Sequence, residues 1–139
     1  MTWWMYASLS ALFAGATAIL AKIGVERVPS NLATAIRTLV VLAFASAIVF
    51  ARGEQRALVD VGRRTLLFLA LSGVATGLSW LAYFRALQMA PASRVQPIDK
   101  LSLAFTIVLA VIILGEPLTW RLALGVALII AGALLTIGS

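Results

Sequence analysis

Few residues in this chain could do chemistry, and three of them are charges set against oily sequence: Arg37, Asp99 and Lys100. Asp99 and Lys100 stand in PASRVQPIDKLSLAFTIVLAVIILGE, just ahead of an uncharged run from Leu101 to Gly115. Arg37 stands in NLATAIRTLVVLAFASAIVF, six residues into another apolar run, roughly 9 Å along a helix axis. A charge that cannot reach water costs at least about 2.5 kcal/mol at the centre of a membrane helix, and less near its ends. Such residues need a partner or water, and they mark a solute path by default.

Hydroxyls recur around these charges at helical spacing. Ser72, Thr76, Ser79 and Tyr83 fall at i, i+4, i+7 and i+11, beside Gly73-x-x-x-Gly77, then Trp80 and Phe84. Asp99, Ser102 and Thr106 fall at i, i+3 and i+7, and Asn31, Thr34 and Thr38 do the same next to Arg37. Ser10 and Thr17 lie seven apart. Taken singly, such hydroxyls read as interhelical glue, and Gly-x-x-x-Gly as a close helix contact. As a set with charges added, they read as the wall of a cavity.

The elements that must position these residues are membrane helices. The chain has 139 residues, 63% hydrophobic and 12% charged, too apolar for a soluble domain of that length to hide. Uncharged runs cover 1–21, 65–84 and 122–139, each near the roughly 20 residues that cross a bilayer. The expectation is an all-α integral membrane protein, one domain over 1–139. Its five spans are expected at about 3–22, 31–50, 65–87, 97–114 and 121–137, with Ser30 or Asn31 capping the second. Trp3, Trp4, Tyr6 and Trp120 fall at span ends, where indole and phenol rings favour the headgroup zone. Pro97 is expected to start or bend the fourth span, placing Asp99 and Lys100 in its first turn. An anion there suits the helix dipole, whereas a cation opposes it. Lys22 and Arg85 end spans on the same face, so the local field is positive and mildly favours anionic or zwitterionic solutes. GEP should break the fourth span, with Glu116 pairing with Arg121 or holding the turn.

Several functions are excluded by what is missing. There is no cysteine and no histidine, hence no disulfide framework, thiol chemistry or imidazole base, and no metal or cofactor is expected. No helix face carries paired carboxylates or a nucleophile with its base, so an enzyme is not expected. The net charge of +6 comes from basic residues at helix ends, the habit of membrane proteins, and nucleic acid is not a partner. The first span lacks the basic n-region of a signal peptide.

The stretch GLSWLAYFRALQMAPASRVQPIDKLSLAFTIVLAVIILGEPLTWRLALGVALIIAGALLTIG resembles the EamA family of the drug/metabolite transporter superfamily. The matching pieces are Pro91, Ala92 and Ser93, Pro97 opening the fourth helix, Leu114, Gly115 and Glu116 closing it, and Gly125, Leu128, Ile129 and Gly132 in the fifth. The resemblance implies transport of small organic solutes, usually efflux, by alternating access. Typical members have ten helices in two inverted halves with the cavity between them, and this chain matches one half. The related small multidrug resistance proteins carry a mid-membrane glutamate in the first helix. WWMYASLSALFAGATAILAK has no acid, so proton-coupled cation exchange of that type is not expected.

One half needs another. Lys and Arg normally accumulate on the cytoplasmic side. Here Arg52, Arg56, Arg63, Arg64 and Arg121 lie on one side, and Lys22, Arg27, Arg85, Arg94 and Lys100 on the other, five against five, or six with membrane-embedded Arg37, so the bias is close to nil. A chain without bias has little to fix its orientation. The expectation is therefore dual topology in the bacterial inner membrane and an antiparallel homodimer, the two-chain form of an inverted-repeat transporter. The small-residue faces Ala7/Ala11/Gly15 and Gly73/Gly77 would be its sliding contacts. The competing expectations are a non-transporting scaffold subunit and one half of a heterodimeric transporter.

Overall fold

A computed structural model describes residues 2–137. Hydrocarbon offers the backbone no hydrogen-bond partner, so a spanning segment must satisfy its own, and these segments are helical. In chain order they are α1 (Trp3–Gly24), α2 (Ser30–Arg52), a short 3₁₀ segment (Glu54–Asp60), α3 (Arg63–Met89), α4 (Ala92–Asp99), α5 (Ser102–Leu109) running into a π turn (Ala110–Leu114), and α6 (Trp120–Leu135). Four stretches are long and apolar enough to cross a bilayer: α1, α2, α3 and the 23 residues Ala92–Leu114. The 16 residues of α6 are apolar but reach only about 24 Å, short of a hydrocarbon layer roughly 30 Å thick.

Few side chains are hidden. The buried set is Ala18, Val25, Phe84, Leu87, Val95, Ala133 and Thr34, whereas large apolar residues line the helix exteriors, Trp3, Phe44, Phe105 and Trp120 among them. Lipid supplies to these faces the apolar contact that a packed core supplies in water.

The chain divides into two compact units, one from Leu20 to Gln88, the other joining the chain up to Ile19 with the chain from Met89 onward. The first unit closes around Val25, Phe84 and Leu87, each no more than 2% exposed. Three side chains fasten it. The Lys22 ammonium donates to the Leu87 carbonyl at 2.6 Å. The Gln88 amide donates to the carbonyls of Val25 at 3.0 Å and Val28 at 2.7 Å. Arg85 donates to the Gln88 oxygen at 3.3 Å. These bonds satisfy carbonyls that a helix end and its following loop leave open, and a cation at a helix C-terminus also suits the dipole. In the other unit α6 packs on α4 and α5, and the buried residues are small: Ala18, Val95 and Ala133.

Three local expectations are corrected. Ser30 and Asn31 do not cap α2. Pro29 precedes its first turn at φ −51°, and the Pro29 carbonyl accepts from the Ala33 amide at 3.0 Å with no side-chain bond. The ring presets φ, leaving no role for a capping hydroxyl. Pro97 does not start the fourth span. Pro91 does, its carbonyl accepting from Arg94 and Val95 at 3.0 and 3.1 Å, and Pro97 lies inside α4. Glu116 makes no ion pair with Arg121 among the described residues. Its amide donates to the Ala110 carbonyl at 3.2 Å, closing the π turn around Gly115 at φ 68°, and Arg121 lies 5.7 Å from the Trp120 ring centroid.

Candidate solute site

Proline inside a helix removes one hydrogen bond and crowds the preceding turn. The break in this span lies beyond that turn, three residues past Pro97. The Lys100 amide is shared between the Gln96 and Pro97 carbonyls at 3.3 and 3.2 Å, Leu101 donates to Ile98 at 2.9 Å, and Leu103 and Ala104 donate to Lys100 and Leu101 at 3.0 Å. These are mostly the tighter i to i+3 bonds of a 3₁₀ turn. The span thus consists of two helices joined at Lys100 and Leu101. Asp99 and Lys100 are seven and eight residues past Ala92, about 10–12 Å into the span rather than in its first turn. The dipole argument changes with them. Asp99 is the last residue of α4 and Lys100 its C-cap, so the end of α4 favours the cation and opposes the anion, the reverse of a first turn. A discontinuous span carrying charges at its junction is a recurring form of transporter binding site.

Beside this junction lies a cleft of about 530 Å³, lined by Ala11, Ala14, Gly15 and Ala18 of α1 and by Gln96, Pro97 and Lys100. The Gln96 side-chain oxygen is buried there without a hydrogen-bond partner. Gln96 and Gln88 escape a reading of charge and periodicity. The available signal was an amide side chain near a proline or a helix end, where backbone groups are left to satisfy.

In the unit from Leu20 to Gln88, Arg37 finds aromatic neighbours. Its guanidinium carbon is 4.2 Å from the Trp80 ring centroid and 5.5 Å from that of Phe84, and Tyr83 stands within electrostatic reach. Arg37 is seven residues from the start of α2, and Trp80 nine from the end of α3 on the same face. These positions lie about 10 and 13 Å along the axis from those helix ends. The guanidinium rests on an aromatic ring of the neighbouring helix.

The hydroxyl stripes are present with a qualification. Ser10, Ser72, Thr76, Ser79, Ser102, Thr106 and Thr38 are exposed, Thr17, Tyr83 and Asp99 partly so, and Thr34 is buried. Thr34, Thr38, Thr76 and Thr106 each donate to the carbonyl four residues back, at 2.8 to 2.9 Å. Their hydrogens serve their own helices, and their lone pairs remain for a solute or water. Nothing lies within 4 Å of where a Cβ would stand at Gly15, Gly73 or Gly77, so the chain makes no close backbone contact there. Lys22 and Arg85 are engaged in the fastening described above.

The EamA-like transporter family profile matches residues 1–138. The chain belongs to the EamA-like transporter family. It is 52% identical over 134 residues to a Sinorhizobium protein described as an uncharacterized transporter in the cobO 3′ region, an alignment covering 96% of this chain and 95% of that one. That EamA relative is thus of nearly the same length. No solved structure matches. Family and relative identify a multi-pass membrane transporter.

Proposed function

We propose that this EamA protein is a secondary exporter of small organic metabolites or drugs that works by alternating access as an antiparallel homodimer. Five crossings, α6 included, make one half of an inverted-repeat transporter. The observation that carries this reading is the openness of the polar faces. Ser72, Thr76, Ser79, Ser102 and Thr106 are exposed, the Gly73/Gly77 face meets nothing in its own chain, and hydrocarbon is a poor solvent for such a face. A second copy inverted in the membrane would cover it and supply the opposite vestibule, consistent with the balanced Lys/Arg count. The junction at Lys100 and Leu101 and the Arg37–Trp80 pair are the solute-path candidates in each copy, and rocking one copy against the other would expose them alternately.

The test compares the medium of cells expressing the protein with that of cells expressing Arg37→Ala, by mass spectrometry. The reading expects a small organic solute enriched outside only with the native chain, with expression and dimer unchanged in the variant. Identical media would refute it. A scaffold subunit, by contrast, would tolerate apolar replacement of Arg37 and of the stripes.

A further inference from the structure

We propose that Arg37 and Trp80 form an anion subsite that takes the carboxylate of a flat, apolar organic acid; this rests on the transporter reading above. One face of the Arg37 guanidinium is covered by Trp80. Its N–H groups point outward in the plane of the fork, and within its unit no hydrogen bond or ion pair employs them. About 10 Å along the axis from the start of a spanning helix, an unmatched guanidinium is costly. Stacking fixes its plane while leaving the donors free, the arrangement in which arginine recognises a planar two-oxygen anion.

The surroundings narrow the ligand. A dianionic phosphate calls for further cations. Lys22 and Arg85 in this unit donate to the Leu87 carbonyl and the Gln88 oxygen instead. One guanidinium suits one carboxylate. Gly73, Gly77, Trp80 and Phe84 share one flank of α3 at i, i+4, i+7 and i+11. The space over both glycines is open, so next to the indole lies a shallow floor without side chains. A planar apolar body can lie on that floor, between it and the second copy of the chain, while its carboxylate meets the fork. The threonine hydrogens of α2 and α3 are held by their own helices, which leaves Arg37 the principal donor.

The test uses the full chain in phosphatidylcholine nanodiscs, with Trp3, Trp4 and Trp120 replaced by Phe so that Trp80 is the sole indole. Benzoate is the probe, and benzyltrimethylammonium and inorganic phosphate are the controls. Benzoate should change the Trp80 emission saturably, and benzyltrimethylammonium should not. Arg37→Gln should raise the half-saturating benzoate concentration about tenfold or more, and Arg37→Lys, which keeps the charge but not the fork, should weaken it by an intermediate factor. No saturable response to benzoate overturns the inference, as does an unchanged response in Arg37→Gln or equal competition by phosphate. Failure here with a solute still exported by the native chain removes the carboxylate and leaves the transporter. Benzoate binding without any export does the reverse.

Discussion

Replacing Lys22 by Met should destabilise the protein by about 1.5–3 kcal/mol, the range for a hydrogen bond to a charged group. Methionine keeps most of the apolar stem and removes only the ammonium. The lost bond is short, 2.6 Å, and its acceptor belongs to Leu87, which is 0% exposed. Water cannot easily replace the donor, so the upper half of the range applies, and the folding equilibrium should shift by about 45- to 160-fold. Arg85→Met is the control. Its bond to Gln88 is exposed and 3.3 Å long, so its loss should cost no more than about 0.5 kcal/mol. Unfolding by dodecyl sulfate in mixed micelles, followed by tryptophan fluorescence, measures both. If Lys22→Met unfolds with the native protein, the carbonyl does not depend on that ammonium.

Further outcomes follow from the same geometry. Pro97→Ala should give α4 back the bond from residue 97 to the Ser93 carbonyl, raising thermal stability while lowering solute export; unchanged export would separate Pro97 from the path. Gly115→Ala should cost about 1–2 kcal/mol in the same unfolding assay, because position 115 holds φ at 68°. Gly73→Leu and Gly77→Leu meet nothing within their own chain, so each should leave monomer stability near native and reduce the crosslinked dimer.

The parts of the fold legible in the sequence were those that charge and periodicity encode. Apolar runs announced an all-helical chain with stretches long enough to cross a bilayer. The fourth span was misread because both Pro91 and Pro97 can begin a helix, and only backbone bonding shows which one does. That single displacement moved Asp99 and Lys100 from a helix start to a mid-span junction. The fastening by Lys22 and Gln88 was illegible for a different reason. Its bonds join residues 60 to 65 apart and end on carbonyls, which every residue possesses, so they leave no pattern in residue type. Arg37 and Trp80 were both singled out along the solute path, but their pairing was not, because a contact between residues 37 and 80 leaves no pattern in spacing.

The antiparallel homodimer is tested most directly by the side of the membrane on which one loop lies. The chain has no cysteine, and Gln55 is exposed in the 3₁₀ segment Glu54–Asp60, so Gln55→Cys is a unique reporter. Intact cells are treated with a membrane-impermeant thiol reagent, then lysed and labelled again. Mixed insertion predicts that about half of the protein reacts from outside. Labelling of all or of none would fix a single orientation and contradict the antiparallel homodimer.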